Sequence, residues 1–259
     1  RDGFTLYVGG DFSFIGLEPR NRIAALAVAT GNATNWNPNA SGPVHTLVVS
    51  GSTIYAGGLF GAIGGKSRLG LAALDKATGV ASAWDPHPSS NPPSPIGAIA
   101  VSGNTVFVGG GFITIGGQAR RGIAAIDAAT GSATSWSPAT NPGEGGRIDA
   151  IGVNGPVVYV GGAFGNMGGL VRTRIAAIET ATGSTIVDWN PGANSDVLAF
   201  VVGATVYAGG AFTSIGGLPQ SSIAAMTGVT SSIVAVDPPP AAGLELAFRS
   251  NPARERLTV

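Results

Sequence analysis

Apolar positions in this chain fall into runs of four to seven residues, cut at regular intervals by Gly, Asn, Ser or Pro. The runs are rich in Val, Ile, Thr and aromatics. They are too short, and too often broken by Gly, to wind into helices, so the pattern predicts strands. The runs also recur. The motif aromatic-[Val/Ala]-Gly-Gly-x-Phe-x-x-[Ile/Met]-Gly starts at Tyr7, Tyr55, Phe107, Tyr159 and Tyr207, in steps of 48, 52, 52 and 48 residues. A period of that length points to stacked supersecondary units.

Each unit carries the same further marks. Ile/Leu-Ala-Ala begins at Ile23, Leu71, Ile123, Ile175 and Ile223, and in four units a Thr-Gly turn follows, ending at Gly31, Gly79, Gly131 and Gly183. Trp36, Trp84, Trp136 and Trp189 come next, each two residues before a Pro. A Val-rich run then leads into the next motif. This order predicts four antiparallel strands per unit: a (the Val run), b (ending at Gly-Gly), c (holding Ala-Ala) and d (ending at Trp). Short a–b and c–d links read as hairpin turns. A four-stranded meander at this period is a β-propeller blade, so the expected fold is all-β, a propeller of about five blade equivalents. Small residues suit it, because blades crowd face to face. Gly9, Gly57, Gly109, Gly161 and Gly209 are therefore read as close-approach positions, and the tryptophans as bridges to the neighbouring blade.

The expected repeats span about 4–38, 44–86, 96–138, 148–191 and 197–238, within a propeller over 1–237. Strand a is missing from the first, which suggests a fragment and nineteen strands in all. Residues 238–242 (Pro-Pro-Pro-Ala-Ala) read as a linker. Residues 243–259 either supply the closing strand, through Gly243–Phe248, or begin another domain.

Composition narrows the functional classes. Charged residues make up 11% of the chain, with 14 basic and 14 acidic side chains. That balance offers no field for nucleic acid or an anionic membrane. No apolar stretch reaches a membrane span. There is no cysteine, so thiol catalysis, disulfides and zinc-thiolate sites are excluded.

Residues 4–237 resemble the β-propeller repeats of large secreted or surface-attached bacterial proteins, whose blades read Val-Tyr-Val-Gly-Gly-x-Phe…Ile-Ala-x-Leu-Asp…Thr-Gly. They are also similar to the Kelch-like propeller of fungal cortical polarity markers. The resemblance implies an interaction or scaffold module, secreted or at the cell surface, with a protein or glycan partner and no cofactor. Ser250–Val259, with Asn251-Pro252-Ala253 and Leu257-Thr258-Val259, resembles the start of C-terminal sorting domains. Ala73-Leu74-Asp75-Lys76-Ala77-Thr78-Gly79 looks like a quinoprotein repeat, but Trp84 lies one residue too far along. The alternatives are thus a propeller enzyme, quinoprotein-like or glycan-active, or a purely structural adhesin spacer.

No catalytic or metal-binding set assembles from the sequence. His45 alternates with apolar residues in strand a, and His87 lies in a Pro-rich loop. Gly61–Ser67 has three residues, not four, between its first Gly and Gly-Lys-Ser, so it fails as a phosphate loop. Asp75, Asp127 and Glu179 recur at one blade position and read as turn supports. Asn32-Ala33-Thr34 and Asn39-Ala40-Ser41 fit the glycosylation pattern. The strongest binding candidates are Arg20, Arg68, Arg120 and Arg172, each three residues before strand c; either they recognise an acidic protein or glycan, or each packs on the neighbouring blade and satisfies carbonyls. The b–c and d–a connections share one propeller face, and the d–a connections are longer at 87–95 and 139–147. His87, Asn91, Glu144 and Arg147 join the arginines in that expected binding face.

Overall fold

The computed structural model describes residues 3–90, 93–138, 146–227, 229 and 232–233. Asn91, Glu144, the 238–242 linker and residues 243–259 lie outside them. The described residues form five successive antiparallel sheets and contain no helix. The first sheet pairs Thr5–Gly9 with Ile23–Ala27. The second orders Val44–Ser50, Thr53–Gly58 and Leu71–Asp75 as strands a, b and c. The third repeats this with Ile96–Ser102, Thr105–Gly110 and Ile123–Asp127. The fourth uses Arg147–Asn154, Val157–Ala163 and Ile175–Glu179. The fifth uses Val197–Val202, Thr205–Gly210 and Ile223–Thr227, and adds Ser232–Ile233. The a strands of successive sheets lie beside one another, which makes them the inner strands of propeller blades.

Strand d is shorter than the sequence implies. In the first four blades it joins strand c through a single residue pair: Leu26 with Ala33, Leu74 with Ala81, Ile126 with Ala133 and Ile178 with Thr185. The cause is local in three of them. The hydroxyl of Thr34, Ser82 or Thr134 accepts a hydrogen bond from the amide of the Trp two residues on, at 3.1–3.2 Å. That turn bends the chain off the sheet, and the Pro beyond the Trp has no N–H with which to resume the ladder.

Each b–c connection folds into a two-residue hairpin that the run lengths did not reveal, such as Ala62–Ile63 with Lys66–Ser67. Its tip, Gly64-Gly65, has φ of 61° and 77°. A Cβ on Gly64 would lie 2.5 Å from the amide nitrogen of Ala81, so only glycine fits. The hairpin hooks onto the preceding blade. Gly64, Gly116 and Gly216 donate to the carbonyls of Pro38, Pro86 and Pro191 at 2.6–2.7 Å.

The core lies between blades rather than within them. Four buried clusters each combine the front face of one blade with the back face of the next. Ile23, Ala25 and Trp36 of the first blade, for example, pack on Ile54, Ala56 and Leu74 of the second. One blade cannot shield its own two faces, so each depends on its neighbours.

Every strand a carries a bulge at the same place, between Val44 and Thr46, Ile96 and Ala98, Ile148 and Ala150, and Val197 and Ala199. The extra residue is His45, Gly97, Asp149 or Leu198. Bulges can re-aim a side chain, and these sit at the start of the inner strand, just after the d–a connection.

Candidate functional site

The connections divide between two faces. Leu59 N donates to Pro43 O, and Ser41 N to Ala62 O, joining b–c and d–a segments on one face. Lys76 N donates to Ser52 O, and Ala128 N to Asn104 O, joining c–d and a–b turns on the other.

The repeated arginines are not presented on the first face; they satisfy carbonyls, the second of their two readings, and do so within their own blade rather than on a neighbour. Arg20, Arg68 and Arg172 are buried and Arg120 is half-buried. Their guanidinium groups reach inward, across their own blade. One nitrogen donates to the carbonyl of the preceding residue: Pro19, Ser67, Ala119 or Val171. Another donates to strand d: Thr34, Ser82 and Thr134 at 2.6–2.8 Å, and both Ile186 and Val187 in the fourth blade. The planar fork of arginine suits two carbonyls at once. Each arginine ties the b–c hairpin to strand d, and burial pulls the Arg172 pKa below its ordinary value. The sequence could not show this, because an Arg at the end of a loop reads alike whether its stem points out or in.

The other repeat-wide residues are also spent on architecture. Trp36, Trp84, Trp136 and Trp189 are buried, edge-on to Tyr7, Tyr55, Phe107 and Tyr159, with ring centroids 5.1–5.2 Å apart. The first three indole N–H groups donate to the next blade's carbonyls at Asp75, Asp127 and Glu179. A Cβ on Gly9, Gly57, Gly109 or Gly161 would sit 2.6–2.8 Å from the next blade's Val44, Ile96, Ile148 or Val197 side chain respectively. At Gly209 its nearest neighbour would be 3.8 Å away.

Asp75 and Asp127 each accept three hydrogen bonds in their Thr-Gly turns, at 2.7–3.1 Å. The threonine hydroxyl and amide bonds hold both carboxyl pKa values below the ordinary 3.8. A depressed folded-state pKa contributes stability above the unfolded pKa, and that contribution is lost as pH falls through the folded value. Stability is therefore expected to decline from about pH 4 downward. In an Asp75→Asn/Asp127→Asn variant the slope of unfolding free energy against pH should be shallower in that window. Acid titrations of both proteins in urea would show an unchanged slope if these turns carry no linkage.

Departures from the repeat, by contrast, gather on the b–c/d–a face. Leu59 stands where other blades have Asp11, Gly111, Ala163 and Ala211, and Leu69 where they have Asn21, Arg121, Thr173 and Ser221. Both leucines are more than 40% exposed. They flank a cleft of about 140 Å³ between the second and third blades, floored by Phe60 and Phe112 and walled by Pro88, Ser89, Ser90, Pro93 and Ser94. The wall is built by its own hydroxyls. Ser89 and Thr114 share a hydrogen bond, and Ser90 Oγ accepts from Ser94 N at 2.8 Å. His87 enters this connection exposed and with φ of 50°. Comparing the repeats position by position would have singled out the leucines.

Arg147 belongs to a second cluster on the inner rim. It pairs with Asp149, and lies 3.7 Å from Asp196 of the next blade, which also accepts from Arg174 at 2.9 Å. The hydrogen bond Arg147 donates to the Asp149 carboxylate raises the Arg147 pKa. No group of three metal-ligating side chains occurs among the described residues, and among them no helix is long and apolar enough to cross a membrane.

No family model and no curated protein matches the chain. Solved structures do. A chain of the mitotic checkpoint complex matches at TM-score 0.53 and 14% identity, over 82% of this chain and 59% of that one. The extracellular domain of a one-component system from B. thetaiotaomicron matches at 0.52 and 15%, over 81% of this chain and 24% of that one. The WD40 domain of Neurospora crassa Pan2 matches at 0.48 and 12%, over 74% and 48%. The fold is a β-propeller. At these identities the likeness extends to fold alone.

Proposed function

We propose that this propeller is a non-catalytic interaction module, and that it binds a protein or glycan ligand through the b–c/d–a face. One observation supports the reading: residues repeated from blade to blade are consumed by blade packing, whereas Leu59, Leu69 and Pro88, Ser89, Ser90, Pro93 and Ser94 break the repeat and line one cleft. Apolar side chains left in water at a concave site, with hydroxyls beside them, suit an apolar group that brings one or two polar atoms. The resemblance to secreted and surface-attached bacterial repeats supports an extracellular setting.

Screening glycan arrays and displayed peptides with wild type and a Leu59→Glu/Leu69→Glu variant tests this. Both positions are exposed, so the variant should keep its melting temperature and lose tenfold or more in affinity for any ligand that wild type selects. Ligands retained at full affinity by the variant would place binding elsewhere. Turnover of a glycan or quinone-linked substrate, abolished by one point mutation, would make the protein an enzyme.

A further inference from the structure

We propose that Asn154 is a latch between the fourth and fifth blades, and that it opens for good by deamidation, its side-chain nitrogen being displaced by the backbone nitrogen of Gly155. The site lies among the a–b turns, on the face opposite the ligand cleft, and does not depend on it.

Asn154 is the one asparagine in the sequence that a glycine follows. It also departs from the repeat. Ser50, Ser102 and Val202 hold its place in the other complete a–b turns, each before a glycine. A glycine carries no Cβ to shield its amide nitrogen. Around Gly155 the space is open as well: beyond its chain neighbours, no atom lies within 4 Å of where a Cβ would sit. Asn154 and Gly155 are both exposed, and the ladder pairs Asn154 with Val157, which leaves the Gly155 N–H outside it.

The chemistry needs only water. The Gly155 nitrogen bonds to Asn154 Cγ and the Cγ–Nδ2 bond breaks. Nδ2 leaves as ammonia, with the proton that the Gly155 nitrogen gives up. Water then opens the cyclic imide at one of its two carbonyls. Opening at Cγ gives aspartate. Opening at the main-chain carbonyl gives isoaspartate, whose backbone runs through the former side chain.

The fold supplies the restraint and the consequence. Asn154 Nδ2 donates to Gly203 O, in the a–b turn of the fifth blade, at 2.7 Å. Pro156 O accepts from Thr180 N at 2.9 Å, which ties the same turn to the c–d link of its own blade. While the Asn154 bond holds, the amide is fixed against the neighbouring blade. Attack waits until the two turns part, so the rate reports that local opening. Afterwards the bond cannot re-form, because an ionised carboxylate has no proton to donate and would set an oxygen against the oxygen of Gly203.

The 259-residue chain, aged for weeks at neutral pH and then digested, tests this. The peptide carrying Asn154 should gain about 1 Da, and isoaspartate, before any other asparagine peptide does. The gain should be several-fold slower than in the same chain unfolded in urea. Asn154→Ser, which copies the second and third blades, should keep its circular dichroism and show no gain there. Converted protein, separated by its added negative charge, should unfold at lower urea than fresh protein, and so should Asn154→Asp. A folded chain that never converts at Asn154 while the unfolded chain does, or one that converts first at another asparagine, would overturn the site. Equal rates folded and unfolded, or equal urea midpoints for fresh and converted protein, would overturn the latch.

Discussion

Trp136→Ala is expected to lower the unfolding free energy by about 3–5 kcal/mol, the range for truncating a buried Trp. The indole touches both sides of a blade boundary. It lies edge-on to Phe107 of its own blade at 5.1 Å, and its N–H donates to Glu179 O of the next at 2.8 Å. Removing it takes apolar area from the cluster that also holds Ile148, Val158 and Ile178, and takes from Glu179 O one of its two donors, leaving Gly183 N. Trp136→Phe separates the two effects. It keeps much of the packing and loses the hydrogen bond, a change of about 1 kcal/mol beyond the volume lost. Urea denaturation followed by circular dichroism reads both variants. A loss under about 1 kcal/mol for the alanine variant would mean that blade boundaries are not where the stability resides.

Arg172→Ala is expected to cost about 1.5–3 kcal/mol, the range for hydrogen bonds to a charged group, and to leave ligand affinity unchanged. The side chain donates to Val171, Ile186 and Val187 carbonyls from a buried position. Losing it frees the b–c hairpin from strand d. Taking the guanidinium out of water works against this contribution, so the loss should sit in the lower half of that range. Arg172→Lys should recover little, because an ammonium on a flexible stem cannot bridge the same carbonyls as a planar fork. Measuring denaturation midpoint and binding side by side distinguishes a brace from a binding group. Lost affinity with intact stability would restore the arginine to the recognition face.

Much of the architecture was legible from residue order. Period, Gly-Gly, Ala-Ala and Thr-Gly place strands a, b and c, because each reports a local demand: run length, close approach or turn geometry. Strand d was overestimated. The Thr-Gly turn and the Trp after it suggested a full strand, but a hydroxyl two residues before the Trp bends the backbone away after one pair. The b–c hairpins escaped notice because two-residue strands have no period to read. Their purpose, hooking the Trp-x-Pro segment of the previous blade, depends on residues about 25–30 positions earlier.

The candidate site divides along the same line. His87 does lie exposed in the long second d–a connection, whereas Arg20, Arg68 and Arg172 point inward. Loop position alone cannot tell these apart, because side-chain direction is set by what the loop packs against. Leu59 and Leu69 look ordinary in isolation and gain meaning only beside four other copies of the motif.

By itself the chain determined its unit, its number of repeats and the small residues that let units approach, since these follow from short-range sterics and from apolar runs too short for helices. Only the tertiary structure decided which repeated polar groups are consumed in holding blades together and which surfaces stay in water. Both faces of a blade are apolar, and whether either is buried depends on a neighbour some fifty residues away along the chain.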